Sequence, residues 1–179
     1  MQDEPGDLST ARPQIKSPVI PAHFLPALRT IHSALSDSQV VWAITGSLSL
    51  ALQGLELPVQ DIDIQTDEDG AYEIERRLAD FVVKPVLYKA SEQVRSRLGK
   101  LGIDGIQVEL IGAVQKRLPA GGWEEPVQVA SHRLWVELQG LSIPVLSLEY
   151  EYEAYRHMGR AEKAALIRKW LDDHKDKQA

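Results

Sequence analysis

Hydrophobic residues follow helical and strand spacings in turn along the chain. In PAHFLPALRTIHSAL the apolar residues Phe24, Leu28, Ile31 and Leu35 lie three or four positions apart, which predicts a helix with Pro26 in its first turn. The next run, QVVWAITG, is mostly apolar and has the length of a strand. The pattern therefore begins with a helix and a buried strand that ends at a glycine.

A second helix and a second strand follow that glycine. SLSLALQG predicts a short buried helix that begins at Ser47 and ends at Gly54. DIDIQT alternates between polar and apolar residues, so we expect a strand whose Ile62 and Ile64 face the core. DGAYEIERRLADF has the pattern of an amphipathic helix.

The middle of the chain is rich in predicted strands. VVKPVLYK, EQVRSRLG and GIQVELIG each predict one, and Gly102 and Gly105 bracket a turn around Asp104. QVASHRLWVELQGLSIPVL predicts a further hairpin. A helix between the first two strands and a strand-rich middle indicate an α+β fold, with a mixed α/β sheet flanked by helices.

The end of the chain is predicted to be helical. SLEYEYEAYRHMG has Leu148, Tyr152 and Tyr155 on one face, and RAEKAALIRKWLDDH follows Gly159 as a second helix. We expect three segments in all: a flexible N-terminal tail over residues 1–20, a core over residues 21–146, and C-terminal helices over residues 147–175 that pack on the core.

Charge and composition narrow the classes of partner. The 179 residues include 20 basic and 26 acidic ones, a net charge of −6, whereas a large nucleic-acid footprint needs a basic surface. We therefore expect no nucleic-acid partner. No apolar run approaches the roughly 20 residues of a membrane-spanning helix, so no membrane association is expected either. The lack of cysteine excludes disulfides and thiolate metal sites and, with no secretory pattern at the N-terminus, favours a cytoplasmic location.

Candidate chemistry centres on two aspartates in QDIDI. Asp61 and Asp63 lie two positions apart on one strand, so they point the same way and repel each other. Either water screens them at an open edge, or a positive group lies between them. Gly46 and Ser47 precede a predicted helix whose free N–H groups favour a phosphate, and Glu109 adds a third carboxylate if its strand lies beside DIDI. Such a cluster would suit a pair of Mg²⁺ ions.

The combination of TGS, a short helix, DID and a later strand glutamate resembles the nucleotidyltransferase superfamily with the DNA-polymerase-beta-like palm fold. It is most similar to the small bacterial minimal and aminoglycoside- or lincosamide-type nucleotidyltransferases, over roughly residues 39–172. The resemblance implies that Asp61 and Asp63 bind both metals and that Glu109 binds the metal that activates the attacking hydroxyl, or acts as its base. Gly46 and Ser47 would hold the outgoing phosphates.

Two basic residues in the C-terminal segment GRAEKA extend the resemblance. A lysine of the family's C-terminal helices often lies near the nucleotide, which suggests Arg160 and Lys163 as further nucleotide-binding residues. Their alternative is a solvated helix face.

The resemblance implies an enzyme that transfers a nucleoside monophosphate from an NTP, with ATP the first expectation, to the hydroxyl of a small molecule. Pyrophosphate leaves, and the cofactor is Mg²⁺ as two ions, with Mn²⁺ as a substitute. A homodimer could complete the pocket of so small a chain. Two alternatives stay open: a toxin-like nucleotidyltransferase that acts on RNA, and a non-catalytic relative that binds a nucleotide or a protein.

Overall fold

The computed structural model describes residues 18–175, so most of the predicted N-terminal tail lies outside the described residues. The helices are α1 (Leu25–Leu35), α2 (Gly46–Leu52), α3 (Glu68–Arg77), α4 (Val129–His132), α5 (Leu148–His157) and α6 (Ala161–His174). The strands are β1 (Trp42–Thr45), β2 (Ile62–Thr66), β3 (Val82–Ala90), β4 (Val94–Ile103), β5 (Ile106–Lys116), β6 (Arg133–Leu138) and β7 (Leu141–Leu146).

The seven strands form one mixed sheet in the order β3-β4-β5-β2-β1-β7-β6. At its centre, β2 runs antiparallel to β1 and parallel to β5. The hairpins β3–β4–β5 and β6–β7 extend the sheet to either side. The predicted α+β fold with a mixed sheet flanked by helices is confirmed.

The main core lies on the face of the sheet that α1 and α3 cover. Ile62 and Ile64 of β2 are 0% exposed there, as the alternation predicts, and they pack in one cluster with Val108 and Leu110 of β5. The predicted inward face of α1 belongs to the same cluster. Burial of side chains this large is worth about 1.5–3 kcal/mol each, so this face holds the sheet together.

The C-terminal helices form a second cluster with α2. Leu148 and Tyr155 of α5 are buried against Leu50 of α2 and Ile167 of α6, and Tyr152 packs on them partly buried. The predicted apolar face of α5 is therefore confirmed. The division of the chain at residue 147 stays a prediction.

Two local predictions need correction. The second helix begins at Gly46 rather than Ser47, and its N-cap residue Thr45 makes no side-chain capping hydrogen bond. Gly46 has a φ of 71°, so the chain bends sharply one residue earlier than a serine N-cap would require. The turn between β4 and β5 consists of Asp104 and Gly105, with φ of 50° and 77°, so Gly102 belongs to β4 and not to the turn.

None of the helices within residues 18–175 combines the length and the apolar character needed to cross a membrane.

Candidate active site

The turn from β1 into α2 forms one wall of a cleft. At Gly46 a Cβ atom would lie 2.5 Å from Oδ2 of Asp63, and the φ of this residue is 71°. Both the backbone conformation and the closeness of the carboxylate therefore require glycine. The glycine of TGS thus has a steric cause, which is the close approach of the turn to β2.

Two neighbouring strands, β2 and β5, bring the acidic residues to the same face of the sheet. In the strand registers, Thr45 pairs with Asp63, and Asp63 pairs with Glu109. Asp61 directly precedes β2 and lines the same cleft, whose volume is about 650 Å³. The parallel pairing of β2 with β5 is what brings a residue 46 positions further along the chain beside Asp63.

Asp63 has a strongly perturbed acidity. Burial, followed by the charges of Asp61 and Glu109, raises its pKa from 3.8 to about 7, although Lys163 and Arg160 act in the opposite direction. Burial and like charge both disfavour the ionised form. The repulsion at Asp63 is therefore only partly compensated in the free protein, and a cation bound here would relieve it.

Two basic side chains reach the cleft from the C-terminal helices. Nζ of Lys163 donates a hydrogen bond to Oγ of Ser47 at 3.2 Å and lies 5.2 Å from the centre of the Tyr155 ring. Arg160 lines the same cleft. The two side chains add two full positive charges to the cleft, beside a helix of only seven residues.

All seven sequence-predicted site residues line this one cleft. They are Gly46, Ser47, Asp61, Asp63, Glu109, Arg160 and Lys163. Their roles in catalysis, nucleotide binding and metal binding stay predictions.

The donor set fits a hard cation only in part before substrate arrives. Within residues 18–175, no three histidine or acidic side chains converge closely enough to form a metal site by themselves. Magnesium needs few protein ligands, because it keeps water molecules and takes phosphate oxygens from its substrate. The carboxylates of the cleft therefore suit a Mg²⁺ ion that arrives with a nucleotide, and the expectation that three of them share one or two ions stays a prediction.

One functional candidate escaped the sequence analysis. Glu151 of α5 is 2% exposed, and its Oε1 accepts hydrogen bonds from Oγ1 of Thr45 at 2.7 Å and from the Gly46 N–H at 3.1 Å. Burial raises its pKa to about 7 despite these two bonds. Glu151 lies three residues after Leu148 and four before Tyr155, so an acid on the apolar face of a helix was the available signal.

Other residues of the cleft offered weaker signals in the sequence. The loop between α2 and β2 contributes apolar and polar groups, and α5 and α6 contribute the rest. They are Leu57, Pro58, Gln60, Tyr155, Glu162 and Leu166.

Comparisons with known proteins agree with this geometry. The profile of the aminoglycoside-2″-adenylyltransferase family matches residues 27–169. A crystal structure of a candidate nucleotidyltransferase from Thermotoga maritima is 52% identical to this chain, with a TM-score of 0.77 over 87% of this chain and 96% of the other. No curated protein sequence matches the chain.

Two more distant structures share the fold alone. The lincosamide adenylyltransferase LnuA, bound to lincomycin, is 13% identical, with a TM-score of 0.52 over 83% of this chain and 97% of its own. ANT(2″)-Ia, in complex with adenylyl-2″-tobramycin, is 13% identical, with a TM-score of 0.54 over 83% of this chain and 90% of its own. The profile covers more than half of the chain and the Thermotoga relative covers most of it, so the chain belongs to the aminoglycoside-2″-adenylyltransferase family of nucleotidyltransferases.

Proposed function

We propose that this protein transfers a nucleoside monophosphate from an NTP, with ATP the first choice, to the hydroxyl of a small molecule in a Mg²⁺-dependent reaction. The observation that supports this most is the single cleft in which Asp61, Asp63 and Glu109 face the basic residues Arg160 and Lys163. Opposite charges that line one cleft suit a substrate that arrives as a metal–triphosphate complex.

The acidic residues would hold the metal. Asp61 and Asp63 offer only oxygen ligands, which magnesium prefers. The raised pKa of Asp63 reflects burial and repulsion by Asp61 and Glu109, and a bound cation would offset this repulsion. When bound, Mg²⁺ neutralises the charge that develops on the phosphate oxygens, and Mn²⁺ can replace it. Glu109 lies beside Asp63 in the sheet register, where it can accept the proton of the attacking hydroxyl.

The basic end of the cleft would hold the leaving group. The acceptor oxygen forms a bond to the α-phosphorus, the bond from that phosphorus to the bridging oxygen breaks, and pyrophosphate leaves. Lys163 and Arg160 can bind the pyrophosphate charge, and the hydrogen bond from Lys163 holds the Ser47 hydroxyl against this end. Charge stabilisation and positioning account for such a reaction without a covalent nucleophile.

The proposed acceptor is a small molecule. LnuA and ANT(2″)-Ia were solved with lincomycin and with adenylyl-2″-tobramycin, which are small hydroxyl compounds or their adenylyl derivatives. The net charge of −6 also weighs against a nucleic-acid acceptor.

The test is transfer of label from ATP labelled at the α-phosphate to a panel of hydroxyl compounds, with pyrophosphate release measured in parallel. Transfer should require Mg²⁺ and stop in excess chelator. Asp104→Asn, which removes one charge in an exposed turn, serves as the control variant and should react like wild type. A wild-type protein that binds no Mg²⁺·ATP and transfers no label would contradict the proposal.

A further inference from the structure

The sheet continues past the acidic residues as an open face of a different character. Across the strands, the register pairs run from Asp63 to Glu109, from Glu109 to Lys100, and from Lys100 to Lys84. Directly paired residues point to the same side of a sheet. The side chains of both lysines therefore lie on the face of the cleft, beyond Glu109 and away from Ser47.

In-line geometry assigns this open face to the acceptor. This step rests on the proposed function. Lys163 contacts Ser47 on the β1 side of β2, and Glu109 lies on β5 at the other side. If pyrophosphate leaves towards Lys163, the attacking oxygen must approach the α-phosphorus from the opposite side, which is the side of Glu109. The rest of the acceptor then extends from Glu109 over β4 and β3.

Apolar side chains share this face with the two lysines. Leu98 pairs with Ile111 and with Leu87 in the strand registers. Leu98 lies two positions before Lys100 on β4, so these three apolar side chains are on the same side of the sheet as the two lysines and Glu109. Leu87 is 53% exposed, and Leu98 and Ile111 are half-buried. An aliphatic surface of this kind favours an apolar part of a ligand over a fully hydrated one.

The charge of the three strands is strongly positive in an otherwise acidic chain. Strands β3, β4 and β5 contain six basic residues and Glu109 as their single acid. Arg97 pairs with Glu68, Arg95 stacks on Trp123, and Lys116 lies over Tyr150. Neither Lys84 nor Lys100 takes part in an ion pair within residues 18–175.

We propose that the acceptor of this protein has an anionic group on an apolar body next to its reactive hydroxyl, and that Lys100 and Lys84 bind the anionic group. Charge complementarity supports this occupant, because two lysines lie on the surface over which the acceptor extends. The same two charges repel a polycationic acceptor, so this protein would discriminate against aminoglycosides.

The test uses two phenols of similar size and opposite charge, 4-hydroxyphenylacetate and tyramine. Each is titrated by NMR into the full chain saturated with Mg²⁺ and an ATP analogue that cannot transfer its nucleotide. The anion should bind more tightly than the cation. Lys100→Glu should weaken anion binding about fivefold, and the double variant with Lys84→Glu should weaken it further. Arg29→Glu on α1, which packs on the opposite face, is the control and should change neither titration.

Three results would overturn this inference. The first is that tyramine binds at least as tightly as 4-hydroxyphenylacetate, and the second is that neither phenol binds. The third is that Lys100→Glu changes anion binding no more than Arg29→Glu does. Sedimentation velocity supplies a further check, since a wild-type dimer that Lys100→Glu dissociates would assign the face to a second copy of the chain. In each of these cases the proposed function survives if the Mg²⁺–ATP analogue binds, and it fails by itself if the analogue does not bind.

Discussion

The two faces of strand β2 obey opposite physical rules. On one face, Ile62 and Ile64 are 0% exposed and gain stability from packing. On the other, burial and neighbouring acids raise the pKa of Asp63 to about 7, so its charge opposes folding. One strand therefore holds the core together and also holds the repelling acidic group in position. Changes on the first face should affect the fold, and changes on the second should affect the reaction.

The largest effect is expected from Asp63→Asn on turnover. The variant keeps the shape of the side chain but removes a metal-binding charge, which acts on charge that develops in the transition state. We expect kcat to fall ~10³-fold, equivalent to about 4 kcal/mol, with a smaller change in KM. Steady-state kinetics with labelled ATP measures it, against Asp104→Asn as the matched control. Equal turnover by Asp63→Asn and wild type would remove Asp63 from the mechanism.

Ile64→Ala tests the other face of the same strand. Loss of a fully buried side chain leaves a cavity, so the free energy of unfolding should fall by about 2–5 kcal/mol. Ile64→Val removes one methyl group and should lower it by about 0.5–1.5 kcal/mol. Denaturant titration gives both values. Molecules that remain folded should keep most of their kcat. A large kcat loss in folded Ile64→Ala protein would mean that the two faces are not separable.

Gly46→Ala tests how closely the turn approaches Asp63. The new Cβ would meet Oδ2 of Asp63 at 2.5 Å and would sit at a φ of 71°, so the carboxylate or the turn must shift. Gly105→Ala is the control, because its φ is 77° and nothing lies within 4 Å of its Cβ. We expect about 1 kcal/mol of destabilisation in the control and about 1–3 kcal/mol in Gly46→Ala, with lost turnover only in the latter. Equal effects in the two variants would show that only backbone strain matters.

The elements on both faces followed from local patterns, and their arrangement did not. The alternation in DIDIQT indicated the inward isoleucines, and the spacing in α1 indicated its buried face, because each depends on residues a few positions apart. The pairing of Asp63 with Glu109 depends on two distant segments that form a parallel pair. The sequence prediction had to assume that these strands are neighbours, because no local pattern indicates it. Pairing across long separations is decided by the whole core, so local periodicity cannot predict it.

Glu151 shows a different limit of sequence reasoning. Its position on the apolar face of α5 was visible, but its partners Thr45 and the Gly46 N–H lie more than 100 residues earlier. The predicted start of α2 is wrong for a related reason, since the bend at Gly46 packs against Asp63 of a later strand, a contact that a local capping preference does not indicate. Contacts between distant segments thus account for both errors.

Glu151→Gln should flatten the pH dependence of stability in metal-free protein. The pKa of Glu151 is raised from 4.5 to about 7, so the folded state binds more protons and stability falls as pH rises from about 4.5 to about 7. An amide oxygen can accept the same two hydrogen bonds. Across this window the free energy of unfolding, measured by urea titration, should fall less steeply with pH in the variant than in wild type. The two slopes should differ by up to ~1 kcal/mol per pH unit. Parallel pH profiles for the two proteins would contradict the assignment.

The smallest effect is a change of sign in the stability of Asp63→Asn. The pKa of Asp63 is raised from 3.8 to about 7, so the free energy of unfolding falls as pH rises from about 4 to about 7 and stays at the lower value above that. In chelator at neutral to mildly alkaline pH, the variant should therefore match wild type or exceed it by ~0.5–2 kcal/mol. Saturating Mg²⁺ with a non-reacting NTP analogue should reverse the order, because ligand binding stabilises the fold by RT ln(1 + [L]/Kd).

Four melting curves separate the explanations of the aspartate pair. A site that awaits a cation requires the variant to melt at or above wild type in chelator, and below it with metal and nucleotide. If the variant melts well below wild type in chelator, Asp63 makes a structural bond in the free protein, and the raised pKa has a different cause. A solvated strand edge would give nearly equal curves in all four conditions, because exposed charges change stability little and bind no ligand. Only the first pattern agrees with an acidic face of β2 that lowers the stability of the free protein and binds a metal and nucleotide for the reaction.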